Sequence, residues 1–252
     1  MNSKDTLFKY TLRLGDTSLI LAQRLSEWTG HGPFLEEDLA LTNIALDIFG
    51  RAKSLLAYAA SVEGNGRSED DLAFFRNDRE FFNALITEQP NGDYAKTIIR
   101  QAFIDCFDLL FYTELAKSQD QTLAGIAAKS IKEISYHKRH SFSWVMRFGN
   151  GTEESLSRLQ KGFDEIWAFT GELFEMNELD ETLIKEGIAV DLNALKPKWE
   201  KEVFELLQQA NIMIPESIYM QKGSRKGLHS EHLGYILAEM QSIPRMYPNA
   251  KW

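Results

Sequence analysis

The sequence predicts an all-α fold, a four-helix bundle with additional helices at its carboxyl end. Apolar residues recur with a period near 3.6 in four long stretches, no stretch of useful length alternates with the period of a strand, and glycine or proline punctuates the stretches. No fixed repeat is present. The chain has 252 residues, 44% of them hydrophobic and only 6 proline, which suits one large domain. Its bundle core is expected over about 6–149, with packed helices added over about 152–252.

The first long helix runs from Thr6 to Trp28, where Leu7, Tyr10, Leu14, Leu21, Leu25 and Trp28 recur at helical spacing and Gly30 with Gly32-Pro33 stops the pattern. Asp16 shares a stripe with Leu12, Leu19, Ile20 and Gln23, which aims its carboxylate at other helices; the plainer reading is a surface aspartate on a mixed helix. The second, Glu36 to Val62, opens on acidic residues that suit the positive end of a helix and closes on Gly64 and Gly66. Its face Ala40, Asn43, Asp47, Gly50, Ser54, Ala57 is small and polar. A glycine inside a helix costs about 1 kcal/mol relative to alanine, so Gly50 points to close approach by another helix or side chain.

Ser68 to Glu88 reads as one or two short, aromatic-rich helices that cover the bundle, ended by Pro90-Asn91-Gly92. The third long helix, Tyr94 to Lys117, carries Ile98, Gln101, Asp105, Leu109 and Tyr112 on one stripe. In the fourth, Leu123 to Phe148, one broad apolar face holds Leu123, Ile126, Ala127, Ile134, Trp144, Val145 and Phe148, and Ser130, His137 and Ser141 lie on that same face. A histidine is therefore aimed at the core. Beyond Gly149-Asn150-Gly151, helices follow near Glu153 to Glu175, Ala194 to Ala210 and Ser230 to Met246.

Several function classes are disfavoured by composition. A net charge of −9 argues against the basic surface that nucleic acid or an anionic membrane would demand. The single cysteine, Cys106, has no internal disulfide partner, and neither a leader peptide nor a run of about 18 apolar residues is present, so a soluble cytoplasmic protein is expected. The 5 tryptophans and 16 phenylalanines imply either a large core or a large buried interface.

A helical bundle that holds two irons needs a glutamate on one helix of each pair and Glu-x-x-His on the other, because residues i and i+3 point the same way and grip one ion. This chain has Asp47-x-x-Gly50 and Ile134-x-x-His137 at those places, and Glu133 is rotated by one position toward the edge of the face. Asp16, Asp47, Asp105 and His137 are then a buried polar cluster with too few donors for two irons, and neither a metal ligand set nor a catalytic residue is expected. Without a metal, the three aspartates need His137, Arg13, Arg51 or Arg100, or water, as partners. The alternative is a metal-binding oxidoreductase whose own site is Asp16, Asp47, Asp105 and His137. An unrelated helical binding protein is a third class.

Two other clusters have plain readings. His229-Ser230-Glu231-His232 has two histidines at i, i+3, yet Ser230 and Glu231 also make a sound helix cap and first turn, which is favoured. Lys222-Gly-Ser-Arg225-Lys226-Gly offers Lys222, Arg225 and Lys226 for a phosphate contact but lacks Walker spacing, so a solvated loop is the default. No Gly-x-Ser-x-Gly, Cys-His pair or dinucleotide fingerprint is present.

Extended stretches carry a resemblance: YTLRLGDTSLILAQRLSEW, NIALDIFGRA, EQPNGDYAKTI, RQAFIDCF, KEISYH, RFGNGT, KEGIAVD, GLHSEHLG and LAEMQ. Over nearly its whole length the chain resembles the non-catalytic, ferritin-like subunits of bacterial phenylacetyl-CoA epoxidases (ring 1,2-phenylacetyl-CoA monooxygenases) of phenylacetate degradation. That resemblance implies a ferritin-like bundle with no cofactor of its own, pairing with and supporting a related subunit that carries the di-iron centre. It also implies further small subunits and a flavin and iron-sulfur reductase as partners, and a second copy of this chain when it is alone.

Overall fold

The computed structural model describes residues 3–216, 219–248 and 250. Among these the fold is all-α, as expected, with no strand. In chain order the α-helices are α1 (Ser3–Ser26), α2 (Leu35–Glu63), α3 (Glu69–Phe74), α4 (Leu85–Glu88), α5 (Tyr94–Leu115), α6 (Gln121–Gly149), α7 (Glu153–Ile166), α8 (Glu178–Lys185), α9 (Leu192–Gln209) and α10 (Glu231–Met246), with four short 3₁₀ turns between them. The four long helices of the ferritin-like pattern, α1, α2, α5 and α6, fall within three residues of the ends read from periodicity. The segment expected as one helix over Glu153 to Glu175 instead breaks after Ile166 into two 3₁₀ turns, and α8 was not anticipated from periodicity.

The chain folds into two compact units, Met1–Pro90 with Gly223–Trp252 and Asn91–Lys222.

In the first unit α1 and α2 form a long hairpin. Gly15 lets them close up: a Cβ there would sit 2.7 Å from Leu56 Cδ2, nearer than atoms tolerate. Gly64, at φ 73°, ends α2 in the left-handed conformation and donates its N–H to the Ala60 carbonyl at 3.0 Å. The apolar cluster of this unit joins Leu12, Leu19 and Ile20 of α1 to Ala52, Leu56 and Ala59 of α2, Leu72 and Phe81 of the connecting segment, and Leu233, Ile236 and Leu237 of α10.

Helix α3 opens on a capping box in which the Ser68 hydroxyl accepts from Asp71 N–H and the Asp71 carboxylate accepts from Ser68 N–H. The backbone N–H of Ser68, and then its hydroxyl, hold the Asp71 carboxyl below the usual carboxylate range. A depressed carboxylate contributes stability that is present above its unfolded pKa and lost as pH falls through the folded one. Ser68→Ala is accordingly expected to destabilise by about 1 kcal/mol near pH 7, with the difference shrinking in acid, and urea midpoints across pH check this.

The second unit is built on the α5–α6 hairpin, with α7 and α9 packed against it. Asp93 and Asp120 cap α5 and α6, accepting from Lys96 N–H at 2.9 Å and Leu123 N–H at 2.9 Å. Much of the aromatic content goes here. Phe103 lies 5.5 Å from Trp167 and 6.0 Å from Trp199, Phe163 stacks on Trp167 at 5.0 Å, and Trp199 Nε1 donates to the Phe103 carbonyl at 2.9 Å. A Cβ on Gly162 would sit 2.7 Å from the Lys96 Cα, so α7 meets α5 backbone to backbone.

Candidate functional site

Helix α6 buries one seam, Leu123, Ala127, Ser130, Ile134, His137, Ser141, Val145 and Gly149. Successive members are three or four residues apart, as a helix laid along its neighbours requires. His137 is thus set into the interior at 2% exposure, and Ile134, three residues before it, is buried at 1%. Where the paired-ligand geometry requires a carboxylate, the seam presents a hydrocarbon.

Asp105 of α5, also buried, is held by its own unit. Its Oδ1 accepts from Gln101 Nε2 at 2.7 Å, one turn away on α5, and its Oδ2 accepts from Ser141 Oγ at 2.7 Å across the α5–α6 contact. A serine and a glutamine bring neutral donors to this carboxylate, and both oxygens are engaged.

Asp16 of α1 is fully buried, and its chief partner was not among the arginines expected from the sequence. The carboxylate forms a two-pronged pair with Arg76, through Nη2 to Oδ1 and through Nη1 to Oδ2 at 3.0 Å, and Oδ2 also accepts from Phe82 N–H at 3.0 Å. Arg76 is itself buried: it donates to the Leu72 and Glu80 carbonyls and stacks its guanidinium 4.1 Å from the Phe81 ring centroid. Of the arginines expected to serve the aspartates, Arg51 donates to Ser18 Oγ at 3.2 Å and Arg100 to Asn91 Oδ1 at 2.7 Å, while Arg13 stands over the Tyr10 ring at 5.2 Å.

Asp47 is only half-buried, and Gly50 is exposed. The close approach expected at Gly50 is not made among the described residues, because a Cβ there would meet none of their atoms within 4 Å. Gly50 lies instead on an outward stripe of α2 with Leu35, Leu39, Asn43, Leu46 and Lys53, in which the three leucines are 70%, 53% and 60% exposed. A helix that is apolar on its outward as well as its inward side is shaped to be covered on both.

Among the described residues no group of three or more His, Cys, Asp or Glu side chains is arranged to hold a metal ion. An arginine on Asp16 compensates the charge of that carboxylate within its own chain. Burial, as the main cause, pushes the Cys106 thiol up to about 12, which disfavours its thiolate.

In the basic loop Lys222 and Lys226 are exposed and Arg225 is half-buried. Its glycines answer to local geometry. Gly227, at φ 66°, ends the 224–226 turn, and a Cβ on it would lie 2.4 Å from the Arg79 carbonyl oxygen. At the start of α10, Ser230 is the N-cap residue but its side chain makes no capping bond, which corrects the expected cap. Its N–H donates to Glu88 Oε1 at 2.6 Å, and the neighbouring His229 ring also engages Glu88. Neither Glu88 nor His229 stands on a periodic apolar face, so spacing carried no signal for them.

No helix among the described residues is long and apolar enough to cross a membrane. The model of the family described as phenylacetic acid catabolic protein matches residues 1–252. Over 246 residues the chain is 50% identical to one of the subunits of the 1,2-phenylacetyl-CoA epoxidase of Escherichia coli (strain K12), a match that covers 98% of this chain and 99% of that one. The chain belongs to the phenylacetic acid catabolic protein family.

Proposed function

We propose that this chain is the structural, non-catalytic subunit of a multicomponent phenylacetyl-CoA epoxidase of phenylacetate catabolism, and that it pairs with a ferritin-like subunit carrying the di-iron centre. The observation that carries the reading is the commitment of Asp16: both its oxygens serve Arg76, so the carboxylate best placed inside α1 is neutralised by its own chain. Gln101 and Ser141 on Asp105, and Ile134 before His137, support the same conclusion. The chemistry of the reaction is then left to the partner, and this chain contributes a shaped surface.

The outward stripe of α2 supports the pairing. Leu35, Leu39 and Leu46 supply apolar area, and Gly50 beside them leaves a flat place where a second helix could come close. The occupant we assign to it is a long helix of the di-iron subunit. The relative from Escherichia coli is one subunit of an epoxidase, which supports assembly with other chains, and we take these to include further small subunits and a reductase. How iron divides between this chain and its partner tests the reading: all of it is expected in the partner.

A further inference from the structure

Glu88 and His229 lie 141 residues apart in sequence, and neither has a part in the function proposed above. Their side chains are 0% and 5% exposed. His229 Nδ1 is 2.9 Å from Glu88 Oε2, and Nε2 is 2.8 Å from the Phe81 carbonyl oxygen. A carbonyl oxygen only accepts, so Nε2 must carry a hydrogen. The Glu88 carboxyl group also accepts from Asn83 Nδ2 at 2.9 Å and from Ser230 N–H at 2.6 Å, and with Glu88 ionised the hydrogen between Nδ1 and Oε2 belongs to the ring. Both ring nitrogens are then donors, and the pair holds one proton more than a neutral imidazole beside a carboxylate.

We infer that the Glu88–His229 pair is a proton-dependent latch that keeps α10 docked on the 81–88 segment. Loss of the shared proton turns the Nδ1 lone pair toward the Oε2 lone pairs in a buried place, and the contact changes from a charge-assisted hydrogen bond to a repulsion. The consequence falls on α10, since His229 and Ser230 immediately precede it and its Leu233, Ile236 and Leu237 complete the core of its unit. Because the contact needs the shared proton, docking is favoured where that proton is held and weakens as rising pH removes it. The charged groups near it include arginines held by bonds of their own and two residues of the first turn of α10. From α1, Arg24 donates to the Glu88 carbonyl at 3.1 and 2.9 Å and to Glu27 at 2.6 Å. From the connecting segment, Arg76 is committed to Asp16, and Arg79 reaches the Gly227 carbonyl at 3.5 Å. From α10 itself, Glu231 and His232 occupy the first turn.

Two substitutions separate a latch from a simple structural contact. In Glu88→Gln the amide oxygen can still accept from Ser230 N–H, and the amide N–H₂ can donate to a neutral Nδ1 and, once the Asn83 amide turns over, to Asn83 Oδ1, which has no hydrogen-bond partner among the described residues. That variant should dock α10 without the extra proton. His229→Gln removes the ring altogether. The experiment is hydrogen exchange of the α10 amides in the full-length protein across pH, corrected for intrinsic exchange, together with ¹⁵N spectra of the His229 ring. In the wild type, both ring nitrogens should be protonated at neutral pH, and α10 protection should fall with rising pH in step with loss of the Nδ1 proton. Glu88→Gln should flatten that dependence, while His229→Gln should open α10 about tenfold more often at neutral pH. A singly protonated ring at neutral pH, or the same pH profile in the wild type and Glu88→Gln, overturns the latch. The wild-type spectra decide the point even if a variant does not fold.

Discussion

Arg76→Ala is expected to destabilise the protein by about 3–5 kcal/mol, the range found when one partner of a buried ion pair is removed. The two side chains are 3% and 0% exposed, so water cannot take over from the missing guanidinium. Asp16 would keep the Phe82 N–H but lose both prongs of the arginine, and the Leu72 and Glu80 carbonyls would lose a donor as well. Removing both charges together should be far milder. Asp16→Leu combined with Arg76→Met is expected to recover most of the loss, because buried pairs exchanged for apolar side chains of similar volume are often neutral or better. Urea unfolding of the single and double variants measures both effects. An Arg76→Ala midpoint equal to that of the wild type would mean that Asp16 has another cationic partner, a metal included.

The second large effect is expected at the assembly level. Leu39→Arg with Leu46→Arg places two charges on the outward stripe of α2, where both leucines are more than half exposed. Stability of the isolated chain should change by no more than about 0.5 kcal/mol, as for ordinary surface substitutions. Pairing with the di-iron subunit should weaken by about 30-fold or more, since charges buried at the centre of an apolar interface go unpaired. Titration of purified partner by calorimetry reads the affinity directly. Equal affinity in the variant would move the interface off this face of α2.

The parts of this structure that were legible in the sequence are those in which one periodic signal has one physical meaning. The α6 seam could be read because Leu123, Ile134 and Val145 fix a single inward direction, which carries His137 and Ser141 with it. The same reasoning put Gln101 and Asp105 on one stripe of α5, where they are hydrogen-bonded. It failed at Arg76, which lies 60 residues from Asp16 in an aromatic segment with no helical period, so nothing local marked it as a buried cation. The reading of Gly50 failed for a different reason. A glycine in a helix signals that something comes close, but not whether that neighbour belongs to the same chain, and here the space beside it is open. Glu88 and His229 were illegible because a long-range pair of this kind is specified by tertiary contact alone.

The central claim is that the aspartates and His137 are structural, and that any iron belongs to another chain. It is tested most directly by assembling the complex in iron-replete cells, separating its subunits under conditions that retain bound metal, and measuring iron in each. The account predicts no stoichiometric iron in this chain and about two irons in its ferritin-like partner, the number a complete ligand set holds. Two irons per copy of this chain, lost on Asp105→Ala or His137→Ala without loss of stability, would contradict it.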